Sequence, residues 1–341
     1  MSLRTYPLIV HPAFISFVES ELGRDRGMHA LPASITPPHF PSLMSIYDIA
    51  DYLKVSPFLF RSMLQRPFKH YRSFRFKKRN GEFRTIHSPR TFLKVTHWWI
   101  LDTILNNCPI SEHAHGFVRG RSFLTNANKH FGASNILNLD VKDFFPSIRV
   151  ERATSQFRKL GYSDKVSEGL ASLTSLNGSL PQGAPTSPAL ANLVMFQIDE
   201  ELAKVASESG LTYTRYADDM TFSGNQRISE KLVDVVAAQI GAVGLTLNGS
   251  KARFMGPNDK KEVTGLVLGL NDVRLDREFL NRARGWFHSA ICQPERYASR
   301  REHIRGTVAL IEHVRGAGSA KVAELGRRAL QAIEKSAVAA S

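Results

Sequence analysis

Apolar residues recur near helical spacing along SIYDIADYLKVSPFLFRSML (residues 45–64), at Ile46, Ile49, Leu53, Phe60 and Leu64, and predict helix there. A packing helix and a DNA-reading helix-turn-helix share such a pattern, and packing is its commoner cause. The period changes at FRFKKRNGEFRTI (74–86), where Asn80-Gly81 divides two alternating runs and signals a hairpin. A two-residue turn would set Arg79 opposite Glu82, Lys78 opposite Phe83 and Lys77 opposite Arg84. One face then carries Arg75, Lys77, Arg79 and Arg84, and the other Phe74, Phe76 and Phe83. A helix is expected around Leu93–Leu105. Another should follow the Gly-punctuated basic segment that opens HGFVRGRSFLTNANKHF (115–131).

SNILNLDVKDFFPSI (134–148) starts as a strand through Ile136, Leu137, Leu139 and Val141, with Asp140 at its exit and Pro146 beyond it. Asp143 falls in the loop, where it is solvated or a cap. In LTYTRYADDMTFSG (211–224), the strand formers Tyr213, Thr214, Tyr216, Thr221 and Phe222 flank Ala217-Asp218-Asp219 at a turn. Between these segments, Ser187-Pro188 reads as an N-cap and first helical position, followed by the stripe Leu190, Leu193, Val194 and Ile198. Gln182-Gly183 just before that helix offers a close backbone approach and an amide for a base or sugar. Leu232, Val235, Val236, Ile240 and Val243 mark a further amphipathic helix, and LTLNGSKARFM (245–255) then carries Lys251. Strand, helix, hairpin, helix, strand is the order of a ferredoxin-like split βαβ sheet in an α+β fold.

Composition narrows the function. The 341 residues suffice for two or three lobes, and 43% apolar with 22% charged residues is a globular balance. Forty-five Lys and Arg against 31 Asp and Glu leave +14, which points to a polyanion. Nothing approaches the apolar run of about 18 residues that a membrane span needs. Pro7, His11 and Pro12 interrupt the N-terminus, against a signal peptide. With two cysteines, Cys108 and Cys292, neither a disulfide scaffold nor a cysteine zinc site is available, and no GxxxxGK[ST] occurs. The expectation is a soluble, cytoplasmic, basic protein.

The charges are also placed. Arg66, Lys69, Arg72, Lys78, Arg90 and Lys94 surround the hairpin with Phe68, Tyr71 and Phe92 among them, as a nucleic-acid groove or triphosphate clamp requires. His113 and His115 have no acid or Cys at ligand spacing, so a metal pair there is set aside. Asp-Asp in a turn is usually ordinary turn chemistry. Here Asp218 and Asp219 repel, and with Asp140 they offer the hard oxygens that suit Mg²⁺. Two such ions roughly 4 Å apart would activate a hydroxyl and stabilise a leaving pyrophosphate. Towards the C-terminus, Arg277, Asn281, Arg284 and His288 share one helical face, and Arg300, Arg301 and Arg305 form a second basic patch. Residues 320–335 read as a terminal amphipathic helix.

Taken together, LDVKDFFPSI, LPQGAPTSP, YADD and a Lys after a helix resemble the palm motifs of reverse transcriptases, in order, over roughly residues 45–270. The resemblance implies a right-hand polymerase of fingers, ferredoxin-like palm and helical thumb. Its parts would be an extension at 1–43, fingers at 44–134 and 151–178, palm at 135–150 and 179–270, and thumb with C-terminal helix at 271–341. It implies metal ligation by Asp140, Asp218, Asp219 and the Val141 carbonyl, with two Mg²⁺ ions or Mn²⁺ in vitro. Phe145 would be the steric gate favouring dNTPs over ribonucleotides. Gln182 would lie beside the incoming nucleotide, Lys77 and Arg84 on its triphosphate, and Lys251 would donate a proton to pyrophosphate. Asn126 to His130 (NAxxH) and Val263-Thr264-Gly265 (VTG) resemble elements of bacterial retron reverse transcriptases. That implies RNA contacts by Asn126, His130, Val263, Thr264, Gly265, Arg277 and Arg284. It also implies a cognate structured non-coding RNA, priming from a guanosine 2′-hydroxyl, and a branched RNA–DNA product called multicopy single-stranded DNA. Anti-phage defence with an effector protein, and template removal by a host RNase H, complete the implied setting. An intron-maturase or diversity-generating reverse transcriptase, or a non-catalytic scaffold for RNA and effector, are the alternatives.

Overall fold

The computed structural model describes residues 40–77, 81, 83–316 and 318–339. Most of the N-terminal extension, and Lys78, Arg79, Asn80 and Glu82 of the hairpin turn, lie outside the described residues. In chain order come α1 (Asp48–Leu53), α2 (Pro57–Gln65), β1 (Tyr71–Lys77), β2 (Phe83–Pro89), α3 (Thr91–Thr103) and α4 (Phe123–Lys129). Then follow β3 (Asn135–Asp140), α5 (Val150–Lys159), α6 (Asp164–Thr174), α7 (Ser187–Glu208), β4 (Thr212–Tyr216), β5 (Asp219–Gly224) and α8 (Lys231–Gly241). Strands β6 (Arg253–Met255), β7 (Glu262–Val263), β8 (Leu266–Leu268) and β9 (Val273–Leu275) precede α9 (Arg277–Cys292), α10 (Arg301–Val314) and α11 (Ser319–Ala339). The helix expected over 45–64 is thus two helices. Lys54 ends the first in a left-handed conformation, and Ser56 caps the second with Pro57 at its first position.

The described residues divide into two compact units: one runs as far as Ser111 and takes in Val141–Glu200 and Val235–Leu247, and the other holds Glu112–Asp140, Glu201–Asp234 and the residues from Asn248 onward. In the first, α2 and α3 pack on α6, and α6 on α5. Phe60, Met63, Ile100, Phe157 and Leu170 are buried there. The β1–β2 ribbon stands largely exposed, and its register differs by one residue from a two-residue turn. Lys77 pairs with Phe83, Phe76 with Arg84 and Arg75 with Thr85. A one-residue slip exchanges faces. Phe83 therefore joins Arg75 and Lys77, with the Arg75 guanidinium 5.8 Å from its ring centre, while Arg84 joins Phe74 and Phe76.

The second unit holds a four-stranded antiparallel sheet in the order β4-β5-β3-β6. That is the split βαβ arrangement, with the first strand and the second hairpin strand central. Its strands bury Ile136, Leu137, Leu139, Tyr213, Met220 and Phe222. A three-stranded sheet, β7-β8-β9, follows. Leu280, Ala283 and Phe287 of α9, Ile304 and Val308 of α10, and Val322, Ala329 and Ile333 of α11 form one core with it. Among the described residues, no helix is long and apolar enough to cross a membrane.

Candidate active site

Strand β3 ends on Asp140 and β5 begins on Asp219, and the two are partners in the β3–β5 ladder. Tyr216 pairs with Asp219, leaving Ala217 and Asp218 as the two-residue turn. Ala217 has a φ of 59°, a conformation costly for a residue with a Cβ. Its surroundings hold it there. The fully buried Arg215 donates from its guanidinium to the Ala217 carbonyl at 3.0 Å. Alongside, the Arg215 amide donates to the His113 carbonyl (2.8 Å) and the His115 amide to the Arg215 carbonyl (2.7 Å). A Cβ on Gly116 would stand 2.3 Å from the Ala217 nitrogen, so only glycine fits. Sequence reasoning missed Arg215 and Gly116. The signals were a lone Arg within an aromatic strand and the glycine after His115.

Lys251, in a single 3₁₀ turn (Gly249–Lys251), donates from Nζ to Asp140 Oδ2 at 2.7 Å. Asn248 adds two bonds, from Nδ2 to Asp140 Oδ1 (3.2 Å) and from its amide to the Asp140 carbonyl (2.7 Å). Asp219 keeps an exposed side chain, yet the protein around it strips part of its hydration. That desolvation, then the charges of Asp218 and Asp140, push its pKa from 3.8 up to about 7 against the pull of Lys251. Partial burial opposes the charge on Lys251. The Asp140 bond and the field of Asp140, Asp218 and Asp219 outweigh it and raise the pKa.

Three carboxylates facing one ammonium leave an excess of negative charge on hard oxygen donors, the chemistry a divalent cation relieves. The residues fit such an ion as donors. Among the described residues, no three His, Cys, Asp or Glu side chains form a ready cage. Asp140 is turned to Lys251 and Asn248 instead.

The other expected residues divide between the two units. In the first, Val141 is buried and bridges Leu247. Phe144 is buried and Phe145 only partly so. The Gln182 carbonyl accepts from the His87 amide at 2.7 Å, and Gly183 has a φ of 113° where a Cβ would meet Ile86. Ser187, already the first residue of α7, donates its hydroxyl to the Pro181 carbonyl (2.7 Å). Lys77 and Arg84 are exposed but on opposite faces of the ribbon.

In the second unit, Asn126, His130 and Val263, expected to contact RNA, are buried. The Asn126 side-chain amide has no hydrogen-bond partner among the described residues, and His130 is engaged by Thr214 and Ser223. Thr264 and Gly265 form the β7–β8 turn, with Gly265 exposed. Arg277 and Arg284 lie exposed on α9 with Asn281 and His288, while Leu280, Ala283 and Phe287 are buried. The second basic patch is largely neutralised, since Arg301 pairs with Glu334 and Arg305 with Glu302 (2.8 Å).

Residues 76–271 match the family described as Reverse transcriptase (RNA-dependent DNA polymerase). Retron Ec86 reverse transcriptase of Escherichia coli is 34% identical over 274 residues, 80% of this chain and 85% of its own. Retron Mx65 reverse transcriptase of Myxococcus xanthus is 35% identical over 288 residues, 78% of this chain and 67% of its own. The chain belongs to the retron reverse transcriptases. As a retron reverse transcriptase it is an RNA-directed DNA polymerase and works with a template RNA. Reverse transcriptases as a family use divalent metal ions. An apo telomerase from Candida tropicalis, truncated from its C-terminal domain, aligns with 62% of this chain and 55% of its own at a TM-score of 0.45 and 15% identity.

Proposed function

We propose that this retron reverse transcriptase binds its own structured non-coding RNA, primes DNA synthesis from a guanosine 2′-hydroxyl in it, and yields a branched RNA–DNA hybrid. The catalytic part of the reading rests on the pairing of Asp140 with Asp219, beside Asp218 in the turn. These three carboxylates and the Val141 carbonyl would hold the divalent ions, which we take to be two Mg²⁺, with Mn²⁺ as an in vitro substitute. When bound, such ions activate the attacking hydroxyl and stabilise the pyrophosphate leaving in line. The chain's own groups do the rest. Lys251, held beside Asp140, delivers a proton to pyrophosphate. Phe145, the more accessible ring of its pair, excludes a ribose 2′-hydroxyl. Gln182, anchored through its carbonyl to His87, borders the nucleotide. The family resemblance assigns both Lys77 and Arg84 to its triphosphate, but they stand on opposite faces of the ribbon and do not clasp it from one side.

Residues 44–134 and 151–178 would act as fingers, 135–150 and 179–270 as palm, and 271–341 as thumb, with an extension at 1–43. In the first unit a cavity of about 350 Å³ is lined by Arg72, Arg90 and Lys94 with Phe74 and Trp98, cations and rings suited to phosphate and base. On α9, the exposed Arg277 and Arg284 support a contact with RNA or hybrid, and Gly265 at the exposed β7–β8 turn supports another. A cytoplasmic place, anti-phage defence with an effector protein, and template removal by a host RNase H rest on the family resemblance alone.

Sequencing the nucleic acid that copurifies with the protein tests this reading. DNA joined through its 5′ end to a guanosine 2′-hydroxyl supports it. DNA with only free 5′ ends favours another class of bacterial reverse transcriptase.

A further inference from the structure

His130 caps the C-terminus of α4, and its ring is almost fully buried. Nδ1 lies 2.7 Å from Ser223 Oγ and Nε2 2.6 Å from Thr214 Oγ1. Thr214 is on β4 and Ser223 on β5, the two strands joined by the Ala217–Asp218 turn. Their ladder partners are Thr221 and Thr212, so both hydroxyls lie on one face, a diagonal step apart. Burial, then the charge of His115, holds the ring's pKa down at about 3. A neutral imidazole has one donor and one acceptor, and a hydroxyl serves as either. Both bonds are thereby satisfied.

The other end of α4 is fastened as well. Thr264 donates its hydroxyl to the carbonyl of Phe123, the first residue of the helix, at 2.8 Å. Thr264 and Gly265 both have positive φ (48° and 78°), and Val263 pairs with Leu266 across the turn. That side-chain bond holds Thr264 in a conformation its Cβ disfavours. One short helix thus ties the Val263–Gly265 turn to the strands that carry Asp218 and Asp219.

We infer that His130 is a positioning residue for the acidic hairpin, and that α4 clasps that hairpin and the Val263–Gly265 turn together. The inference rests on the reading of Asp218 and Asp219 as catalytic carboxylates. The two short strings that resemble retron elements then act inside the protein, as two ends of one brace.

The test compares the full-length parent with His130→Leu and His130→Gln. It measures single-nucleotide incorporation on a generic RNA template with a DNA primer, and hydrogen exchange over residues 212–224. In His130→Leu, kcat should fall at least tenfold while dNTP KM and primer–template Kd stay within twofold, and exchange over 212–224 should quicken. His130→Gln, which keeps a donor and an acceptor, should recover most of both. Should His130→Leu fail to fold, Thr214→Val with Ser223→Ala removes the same bonds and should behave alike. Unchanged kcat or unchanged exchange in a folded variant overturns the clasp, as does a loss confined to RNA affinity. A parent that incorporates no nucleotide defeats the catalytic reading instead, and the exchange data then decide the clasp independently.

Discussion

Asp140 and Asp219 face each other across the β3–β5 ladder, and Lys251 is bonded to Asp140. Asp219 is therefore the acid left short of compensation, with a pKa raised to about 7. An acid whose folded pKa lies above its unfolded value binds more protons in the fold between the two. Its contribution to stability is full at low pH and declines from about pH 4 to about 7. Asp219→Asn removes that decline, so at pH 8 with chelator present it should melt above the parent. DNA synthesis should fall by roughly a hundredfold or more, as when a preorganised electrostatic group is lost. Asp218→Asn should likewise abolish product while RNA binding persists. Melting curves at pH 4, 7 and 8, with primer extension, check all three.

Lys251 can act as a counter-ion to Asp140 or as a proton donor, and two substitutions separate the roles. Lys251→Met removes both, and incorporation should slow by about 10² to 10⁴-fold, the range for general acid catalysis. Lys251→Arg keeps the charge beside Asp140 but holds its proton too tightly to donate. Arginine should restore stability and leave the rate low under single-turnover conditions. Full recovery of rate by arginine would reduce Lys251 to a counter-ion.

The parts of this fold set by local pattern were legible in the sequence. The apolar residues Ile136, Leu137, Leu139 and Val141 around Asp140 and the strand formers around Asp218 and Asp219 predicted β3, β4 and β5, and their chain order predicted the sheet. The β1–β2 register was not legible, because both faces of that ribbon are exposed and mix rings with cations, so no buried face penalises a slip. The fates of Asn126 and His130 were hidden for a different reason. Polar residues at helical spacing look the same whether they face solvent or are buried, as His130 is against hydroxyls on strands 84 and 93 residues away. The pairing of Arg301 with Glu334 was not legible either, because the two stand 33 residues apart, whereas Arg305 with Glu302 is a local pair on one helix.

Gly116 is held against the turn that presents Asp218. A Cβ there would stand 2.3 Å from the Ala217 nitrogen, and backbone cannot yield as a flexible side chain does. Gly116→Ala should therefore cost about 1–3 kcal/mol, the usual range for overpacking. It should also lower kcat more than RNA affinity, because the displaced atoms are those of the acidic turn. Chemical denaturation with steady-state kinetics reads both. Gly120, where an added Cβ would meet nothing within 4 Å but φ is 78°, is a suitable control, since Gly120→Ala strains only its own backbone.

Buried histidines make the opposite demand on pH. His97 is fully buried, with Nδ1 2.6 Å from Thr186 Oγ1 and Nε2 3.2 Å from the Tyr71 hydroxyl, and burial lowers its pKa from 6.5 to about 3. His130 is lowered similarly, and His115 to about 4. A base whose folded pKa is depressed binds fewer protons in the fold than when unfolded. Its contribution is full above pH 6.5 and is lost as pH falls towards 3. Asp219 acts in the reverse sense over much of that interval, so the parent's melting temperature should change less than the histidines alone dictate. The Asp219→Asn background removes this opposition. There the melting temperature should fall steeply from pH 6.5 to 4, and adding His97→Gln should flatten the slope. An equally steep fall with His97 replaced would mean that its neutral, hydrogen-bonded ring is not what acid disrupts.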